Sequence, residues 1–422
     1  MDFSLSPLAA ELSERVGQFI STEIVPAEEE YERALSAART EGRQWKPLPV
    51  LADLRAKARG QGLWNLFLPA GHEKAFDPRY LPPGGTGLSN VDYAPIAELT
   101  GHSFLAPLVF NCNAPDSGNM EVLIKYGSVE QRKKWLEPLL DGRIRSAFAM
   151  TEPAVASSDA TTMETTAIVS ADVVTVNGRK WWSTGIGHPD CRILLVMALT
   201  DPAAPRHARH SMVLVPRDAA GVHVERMLPT MGTYDEPGGH GEVSFTDVRV
   251  PLTNVIGAPG HAFKIAQGRL GPGRVHHCMR LIGLTERALE LACRRALGRT
   301  AFGRPLADLG GNRERIAEAR IAIDQARLLV LHAAWLLDTK GPDDAVAAVS
   351  QIKAAVPTMA QQVIDMAIQL HGGAGLSDDF PLAAAWTQAR ALRLADGPDE
   401  VHRGVVAGLE LRKYRTSREP ST

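Results

Sequence analysis

Of 422 residues, 45% are hydrophobic and 22% charged, a globular balance that excludes a disordered chain and a membrane protein. Lys plus Arg (46) nearly equals Asp plus Glu (48), which argues against a nucleic-acid-binding surface over the whole molecule and leaves only local anion sites. Cys112, Cys191, Cys278 and Cys293 show neither CxxC spacing nor a paired histidine pattern. No metal site and no disulfide framework is therefore expected, only buried thiols in a reducing compartment.

The N-terminus, MDFSLSPLAAELSERV, lacks a basic segment followed by an apolar run, so no secretory signal is expected. No stretch reaches the roughly 20 apolar residues of a membrane span, and the expected location is the cytoplasm. Ser6-Pro7 reads as a helix cap with proline in the first turn, followed by Leu8, Leu12, Val16 and Ile20 four apart. Residues 75–90 are rich in Pro and Gly and predict a long loop within an otherwise helical zone that extends to about residue 145.

From about 146 to 258 the pattern changes to short β-rich runs. Asn177-Gly178 within VVTVNGRKWW is a hairpin signal, and RILLVMAL, HSMVLVP, VHVERM, EVSFT and VRVP are further strands. Regularly turned short strands predict a β-barrel or sandwich. After 259 the chain is helical again. Ile352, Val356, Met359, Val363, Met366 and Leu370 form one apolar stripe, and Pro357 inside it should remove a backbone bond and bend the helix. Ile316, Ile323, Val330 and Leu337, with Ala319, Ala326 and Ala333 beside them, form a second stripe suited to close helix packing or a subunit interface. The basic tail LRKYRTSREP is expected to be solvated.

Four motifs stand on this scaffold: SAFAMTEPAVASSDA (146–160), NGRKWWSTG (177–185), RRALGRTAFGRPL (294–306) and QLHGGAGLSDDFPL (369–382). Each alone has a structural explanation: a Ser-rich turn, a core Trp pair, a solvated Arg and a glycine turn. In this order and spacing they resemble the acyl-CoA dehydrogenase family over residues 5–412. The resemblance implies an α+β fold with an N-terminal helical domain (1–145), a middle β-barrel domain (146–258) and a C-terminal four-helix bundle (259–422).

It also implies FAD as cofactor. Phe148, Met150, Thr151 and Ser158 would lie along the flavin, with Ser157 at the flavin or the CoA chain, and Trp182 and Thr184 would cover the ring near its reactive nitrogen. Arg299 and Phe302 would reach the FAD of a neighbouring subunit, which implies a homodimer or homotetramer. Gln369, Gly372 and Gly373 would complete the adenosine diphosphate site, and Pro398 would also touch the cofactor.

The stretch ALRLADGPDEVHR, first of all a turn signal, places Asp396-Gly397-Pro398 where most of the family carries a Glu followed by Gly-Thr. By this resemblance Asp396 is the base that takes the α-proton of an acyl-CoA, with Gly397 beside the substrate. Asp is one methylene shorter than Glu, and Ala395 replaces a frequent aromatic residue, so both changes open space at the reacting carbons. Arg274, His276, His277 and Arg280 form a cationic cluster that would meet a CoA or acyl-chain phosphate, Arg274 foremost, or else serve a structural ion network.

The chain resembles a branch whose longer members carry a kinase-like domain and process 4-hydroxyacyl-CoAs. As given, it starts at the dehydrogenase unit, so any kinase is expected to be a separate protein. The first functional reading is dehydrogenation of an acyl-CoA to the trans-2-enoyl-CoA in fatty acid β-oxidation, with electron-transfer flavoprotein as oxidant. A second is redox-neutral conversion of a 4-phosphoryloxyacyl-CoA with phosphate loss. A third is flavin or CoA binding without turnover.

Overall fold

The computed structural model describes residues 1–82 and 84–415. Among them, α1 (Pro7–Phe19), α2 (Val25–Thr40), α3 (Pro49–Gly60), α4 (Asn90–Thr100), α5 (Ala106–Val109), α6 (Asp116–Tyr126), α7 (Val129–Gln131) and α8 (Glu137–Leu140) precede the sheet. Strands β1 (Arg145–Ala149), β2 (Thr166–Ser170), β3 (Val173–Thr184), β4 (Cys191–Leu199), β5 (His210–Pro216), β6 (Val222–Leu228) and β7 (His240–Pro251) follow. Then come α9 (Ala262–Gly298), the small hairpin β8 (Thr300–Ala301) and β9 (Arg304–Pro305), α10 (Asn312–Thr339), α11 (Pro342–His371), α12 (Leu382–Ala391) and α13 (Asp399–Arg415).

Contacts gather these elements into two compact units: Met1–Ile20, Ser89–Ala106 and the chain from Arg274 onward, and Ser21–Leu88 with Pro107–Gly273. The first unit is helical. The Ser6 hydroxyl accepts from the Ala9 N–H at 3.2 Å and starts α1, which buries Leu12 and Val16 against α4. α10 packs on α4 and α11, and α11 also receives α12 and α13. Both predicted stripes face this core, with Ala319, Ile323, Ala326, Val330 and Ala333 buried on α10 and Ile352, Val356, Met359 and Val363 on α11. Pro357 is buried inside the uninterrupted α11, where its missing N–H leaves the Lys353 carbonyl without its helical donor.

The second unit is built on a curled seven-stranded sheet of order β1-β4-β2-β3-β7-β6, with β5 added to β4. β1 runs parallel to β4, whereas β2–β3, β3–β7, β6–β7 and β4–β5 are antiparallel. Ala147, Leu194, Val196, Val213, Val215, Val243, Phe245 and Val248 are part of its apolar core. The loop expected over 75–90 is present but tethered, with short turns of 3₁₀-helix at Glu73–Ala75 and Pro78–Tyr80 and with Phe76 and Tyr80 buried. Pro83 of that loop, and the basic tail beyond Arg415, lie outside the described residues.

Two strand expectations are corrected. Asn177-Gly178 does not close a hairpin: it lies inside the continuous β3, and the turn falls at Ala171-Asp172, between Ser170 and Val173 of the β2–β3 pair. The register with β7 shifts between Val176 and Gly178. There the Asn177 side chain is spent on Asp247, accepting its N–H at 2.7 Å and donating to its carboxylate at 3.2 Å. A Cβ at Gly178 would stand 2.5 Å from the Thr165 hydroxyl. The pair therefore makes a bulge that bends a long strand. EVSFT and VRVP are likewise one strand, β7, which passes through Asp247 at φ 49° without ending.

Candidate active site

The turn between α12 and α13 carries Asp396 in the left-handed region, at φ 58°, followed by Gly397 at φ 104°. Aspartate tolerates that conformation better than most residues. At Gly397 an added Cβ would come within 2.9 Å of His402 Nε2, so glycine is required there by space as well as by φ. The turn is held by its carbonyl oxygens. Asp396 O accepts from Arg274 Nε at 2.9 Å and from His402 Nε2 at 3.2 Å. Leu392 O and Gly397 O accept from Lys353 Nζ at 2.5 and 3.2 Å. On its other side, Arg393 Nε donates to the buried Asp399 carboxylate at 2.7 Å.

These donors are poor in water. Lys353 is 0% exposed, and burial pushes its ammonium below the ordinary lysine range, with Asp396 among the groups pulling it back. Burial likewise lowers Arg274, partly offset by Asp396. His402 is pushed down to about 4, by burial first and then by Arg274 and Lys353. It is therefore neutral near pH 7, and its donation to Asp396 O requires the proton on Nε2. Among the described residues, its buried Nδ1 has no hydrogen-bond partner. Beside them, burial pushes the Cys278 thiol up to about 12, so it stays protonated.

The Asp396 carboxylate stands 3.4 Å from His277 Nε2, with about a fifth of each side chain exposed. Arg274 and His277, three apart on α9, thus share the face toward this turn. His276 is buried against the Tyr93 ring, with centroids 4.8 Å apart. The cationic cluster of the sequence is therefore divided: Arg274 and His277 meet the acidic turn, and His276 is a core residue.

In the same unit, Arg299 follows the end of α9 and is exposed. Phe302 and Gly303, at φ 51° and 79°, form the tip of the β8–β9 hairpin, where Phe302 is 95% exposed. Gln369 is exposed in the last turn of α11, which Gly372 terminates at φ 63°. A Cβ at Gly372 or Gly373 would meet nothing within 4 Å, whereas one at Gly375 would strike the Ile368 carbonyl at 2.7 Å. The fold's own packing thus demands Gly375, and the Gly372-Gly373 backbone stays open. Arg295 Nη2 donates to His371 O at 3.3 Å and ties the end of α9 to the end of α11.

The sheet unit carries the other predicted residues. Phe148 lies on β1, with the Arg269 guanidinium 3.9 Å from its ring centroid. After β1 the chain passes through Met150 and Thr151 and is clamped to β3: Lys180 Nζ donates to Met150 O at 2.8 Å and to the Glu152 carboxylate at 2.7 Å, and the Trp181 N–H donates to Thr151 O at 2.9 Å. Burial pushes the wholly buried Lys180 down to about 8. Burial works against the Glu152 carboxylate too, but Lys180 with the Glu164 and Thr165 N–H groups outweighs it and holds Glu152 below the usual range. The Ser157 hydroxyl accepts from the Glu152 N–H at 2.8 Å, which commits it to the turn, and Ser158 is exposed. A register shift between Lys180 and Ser183 puts Trp182 at φ 51° and leaves it 40% exposed. The Thr184 hydroxyl lies 2.9 Å from His240 Nδ1.

Sequence reasoning did not single out Lys353, His402, Lys180, Glu152 or His240. Lys353 sat within an apolar stripe, where a polar residue on the buried face was the available signal. Lys180 and Glu152 pair across 28 residues and His240 meets Thr184 across 56, whereas His402 lies only six residues from Asp396 and no local pattern marked it.

Three family models, for the N-terminal, middle and C-terminal domains of acyl-CoA dehydrogenases, match residues 6–143, 147–248 and 260–409. The helical, sheet and helical regions that they cover define the acyl-CoA dehydrogenase fold. A Mycobacterium abscessus structure, described as a candidate acyl-CoA dehydrogenase, superposes with a TM-score of 0.91 at 66% identity, covering 97% of this chain and 100% of that one. Probable acyl-CoA dehydrogenase FadE2 of Mycobacterium tuberculosis is 48% identical over 423 residues, covering 100% of this chain and 98% of the relative. Acyl-CoA dehydrogenase family member 10 of Mus musculus is 51% identical over 417 residues, 99% of this chain but 38% of that protein. The chain thus spans well under half of that longer relative. The chain belongs to the acyl-CoA dehydrogenase family, oxidoreductases that act on CH–CH groups. Among the described residues, no helix is long and apolar enough to cross a membrane.

Proposed function

We propose that this chain is an FAD-dependent acyl-CoA dehydrogenase that forms a trans-2-enoyl-CoA with Asp396 as base. The observation that carries the proposal is the Asp396 turn: its carbonyls are drawn to Arg274, His402 and Lys353, while its carboxylate stays partly exposed. A side chain held this way from behind can approach a substrate carbon without the loop giving way. In the reaction the α-C–H bond breaks toward Asp396, which takes the proton, and the β-hydride departs as the C=C bond forms.

The residues present fit the cofactor. Trp182 and Phe302 are large aromatics left exposed at positive φ, and the Gly372-Gly373 backbone has room beside it. On the sheet unit, Phe148, Met150, Thr151, Ser158, Trp182 and Thr184 would hold the flavin, with Ser157 supporting their turn. Taken by itself, the helical unit offers Gln369, Gly372, Gly373 and Pro398 as contacts for the adenosine diphosphate part of an FAD, and Arg299 and Phe302 would reach the FAD of a second subunit in a dimer or tetramer. Bound there, FAD supplies the hydride acceptor. Arg274 and Gly397 would flank the substrate, and electron-transfer flavoprotein would be the oxidant.

A second reading, phosphate loss from a 4-phosphoryloxyacyl-CoA, is favoured by Arg274 and His277 standing on one face beside Asp396. The test is anaerobic mixing of the FAD-loaded protein with saturated acyl-CoAs and with 4-phosphoryloxyacyl-CoAs, following flavin absorbance and product mass together. Bleaching matched by enoyl-CoA supports dehydrogenation. Phosphate release with the flavin oxidised at the end supports the second reading, and neither outcome leaves binding without turnover.

A further inference from the structure

Beside the clamp on β3, three side chains form a chain of hydrogen bonds of which the reaction above uses only Thr184. Thr184 on β3 and His240 on β7 are direct cross-strand partners, and the Thr184 hydroxyl meets His240 Nδ1 at 2.9 Å. The other ring nitrogen, Nε2, meets the Asp235 carboxylate at 2.6 Å. The loop bearing Asp235 is fixed to the same place by its backbone: Gly239 N–H donates to Asp235 O at 2.6 Å, Gly185 N–H to Gly239 O at 2.9 Å and Gly187 N–H to Gly238 O at 2.8 Å. Its neighbour Glu236 is turned away to Arg39, at 2.9 Å. The Trp182 ring lies 5.6 Å from the His240 ring. Asp235 itself is 65% exposed, His240 only 16%.

The directions of these bonds follow from donor chemistry. An ionised carboxylate only accepts, so the Nε2 that faces Asp235 carries the proton, and in a neutral ring Nδ1 is then an acceptor. With the ring neutral, the Thr184 hydroxyl donates its one proton to His240. What remains on Thr184 for anything in front of it is lone pairs.

We infer that Thr184, His240 and Asp235 form a relay that fixes the Thr184 hydroxyl as a hydrogen-bond acceptor and so favours the reduced over the oxidised state of the flavin. The inference rests on the proposed placement of Thr184 at the reactive nitrogen of the ring. That nitrogen carries a hydrogen, and is a donor, only after reduction, whereas in the oxidised ring it is an acceptor that an acceptor hydroxyl cannot serve. His240 and Asp235 are positioning residues, since they act through Thr184.

The test measures the two-electron midpoint potential of bound FAD against reference dyes, in mildly alkaline buffer. The proteins are the parent, Thr184→Val, His240→Phe, His240→Asn, Asp235→Ala and the double variant Thr184→Val with His240→Phe. His240→Phe should shift the equilibrium toward oxidised flavin about tenfold, a fall of about 30 mV for a two-electron couple. Asp235→Ala, at a site 65% exposed where truncation opens no cavity, should move the potential in the same direction. His240→Asn, whose amide oxygen can stand near the Nδ1 position, should recover most of the shift. Adding His240→Phe to Thr184→Val should change nothing further. A potential that Thr184→Val shifts but His240→Phe and Asp235→Ala do not, or a His240→Phe shift that persists in the Thr184→Val background, overturns the relay. A Thr184→Val protein with an unaltered potential removes the placement of Thr184 at the flavin, and the relay with it.

Discussion

Replacing Asp396 by asparagine separates the chemistry of the proposed base from the architecture of its turn. Asparagine keeps the volume and tolerates the φ of 58° that Asp396 adopts, where most residues would pay roughly 1–2 kcal/mol. The bonds from Arg274 and His402 end on the backbone carbonyl and survive the change. The contact of its carboxylate with His277 at 3.4 Å, both side chains about a fifth exposed, is worth about 0–1 kcal/mol. The stability of Asp396→Asn should therefore stay within about 1 kcal/mol of the parent. Loss of a general base costs about 10²–10⁴ in rate, roughly 2.7–5.5 kcal/mol of barrier, well beyond that. The assay is stopped-flow bleaching of the FAD-loaded protein by a saturated acyl-CoA, with urea unfolding in parallel. A variant that bleaches within about threefold of the parent rate would refute Asp396 as base, because no positional effect compensates for a missing carboxylate.

Other perturbations probe the frame around that turn. Lys353→Met leaves the carbonyls of Leu392 and Gly397 without their donor, so urea unfolding should show a loss of about 1–3 kcal/mol and the bleaching rate should fall while FAD content holds. His402 is neutral in the fold down to about 4 but takes a proton near pH 6.5 when unfolded, so its contribution is complete above about 6.5 and is lost as pH falls toward about 4. Urea midpoints between pH 4 and 7 should decline less steeply in His402→Gln, whose amide can still donate to Asp396 O. Glu152→Gln strands the buried Lys180 ammonium and should cost about 3–5 kcal/mol. Adding Lys180→Met should restore most of it, as read by thermal unfolding with a double-mutant cycle.

Features set by near neighbours were legible in the sequence. The Ser6-Pro7 cap, the two apolar helix stripes and the Asp396-Gly397 turn depend on backbone preference and side-chain period, which act over a few residues. The four motifs carried the family resemblance, and with it the succession of helical, sheet and helical regions. What the sequence left undecided is the choice among partners remote along the chain. Asn177-Gly178 has the composition of a turn, yet β7 offers Asp247, 70 residues away, as partner for Asn177, and the pair becomes a bulge. Arg274, His276 and His277 look alike as a cationic run, but helix geometry sends two of them to the Asp396 turn and His276 to Tyr93. Lys353 reads as one polar interruption in an apolar stripe until α11 packs against the turn 39 residues on. Local propensity is a property of a few consecutive residues. The donors that hold the turn, and the contacts from Thr184 through His240 to Asp235, exist only once packing has brought α9, α11 and α13 to the turn and β3 beside β7, where a buried polar group must find its partner within the protein.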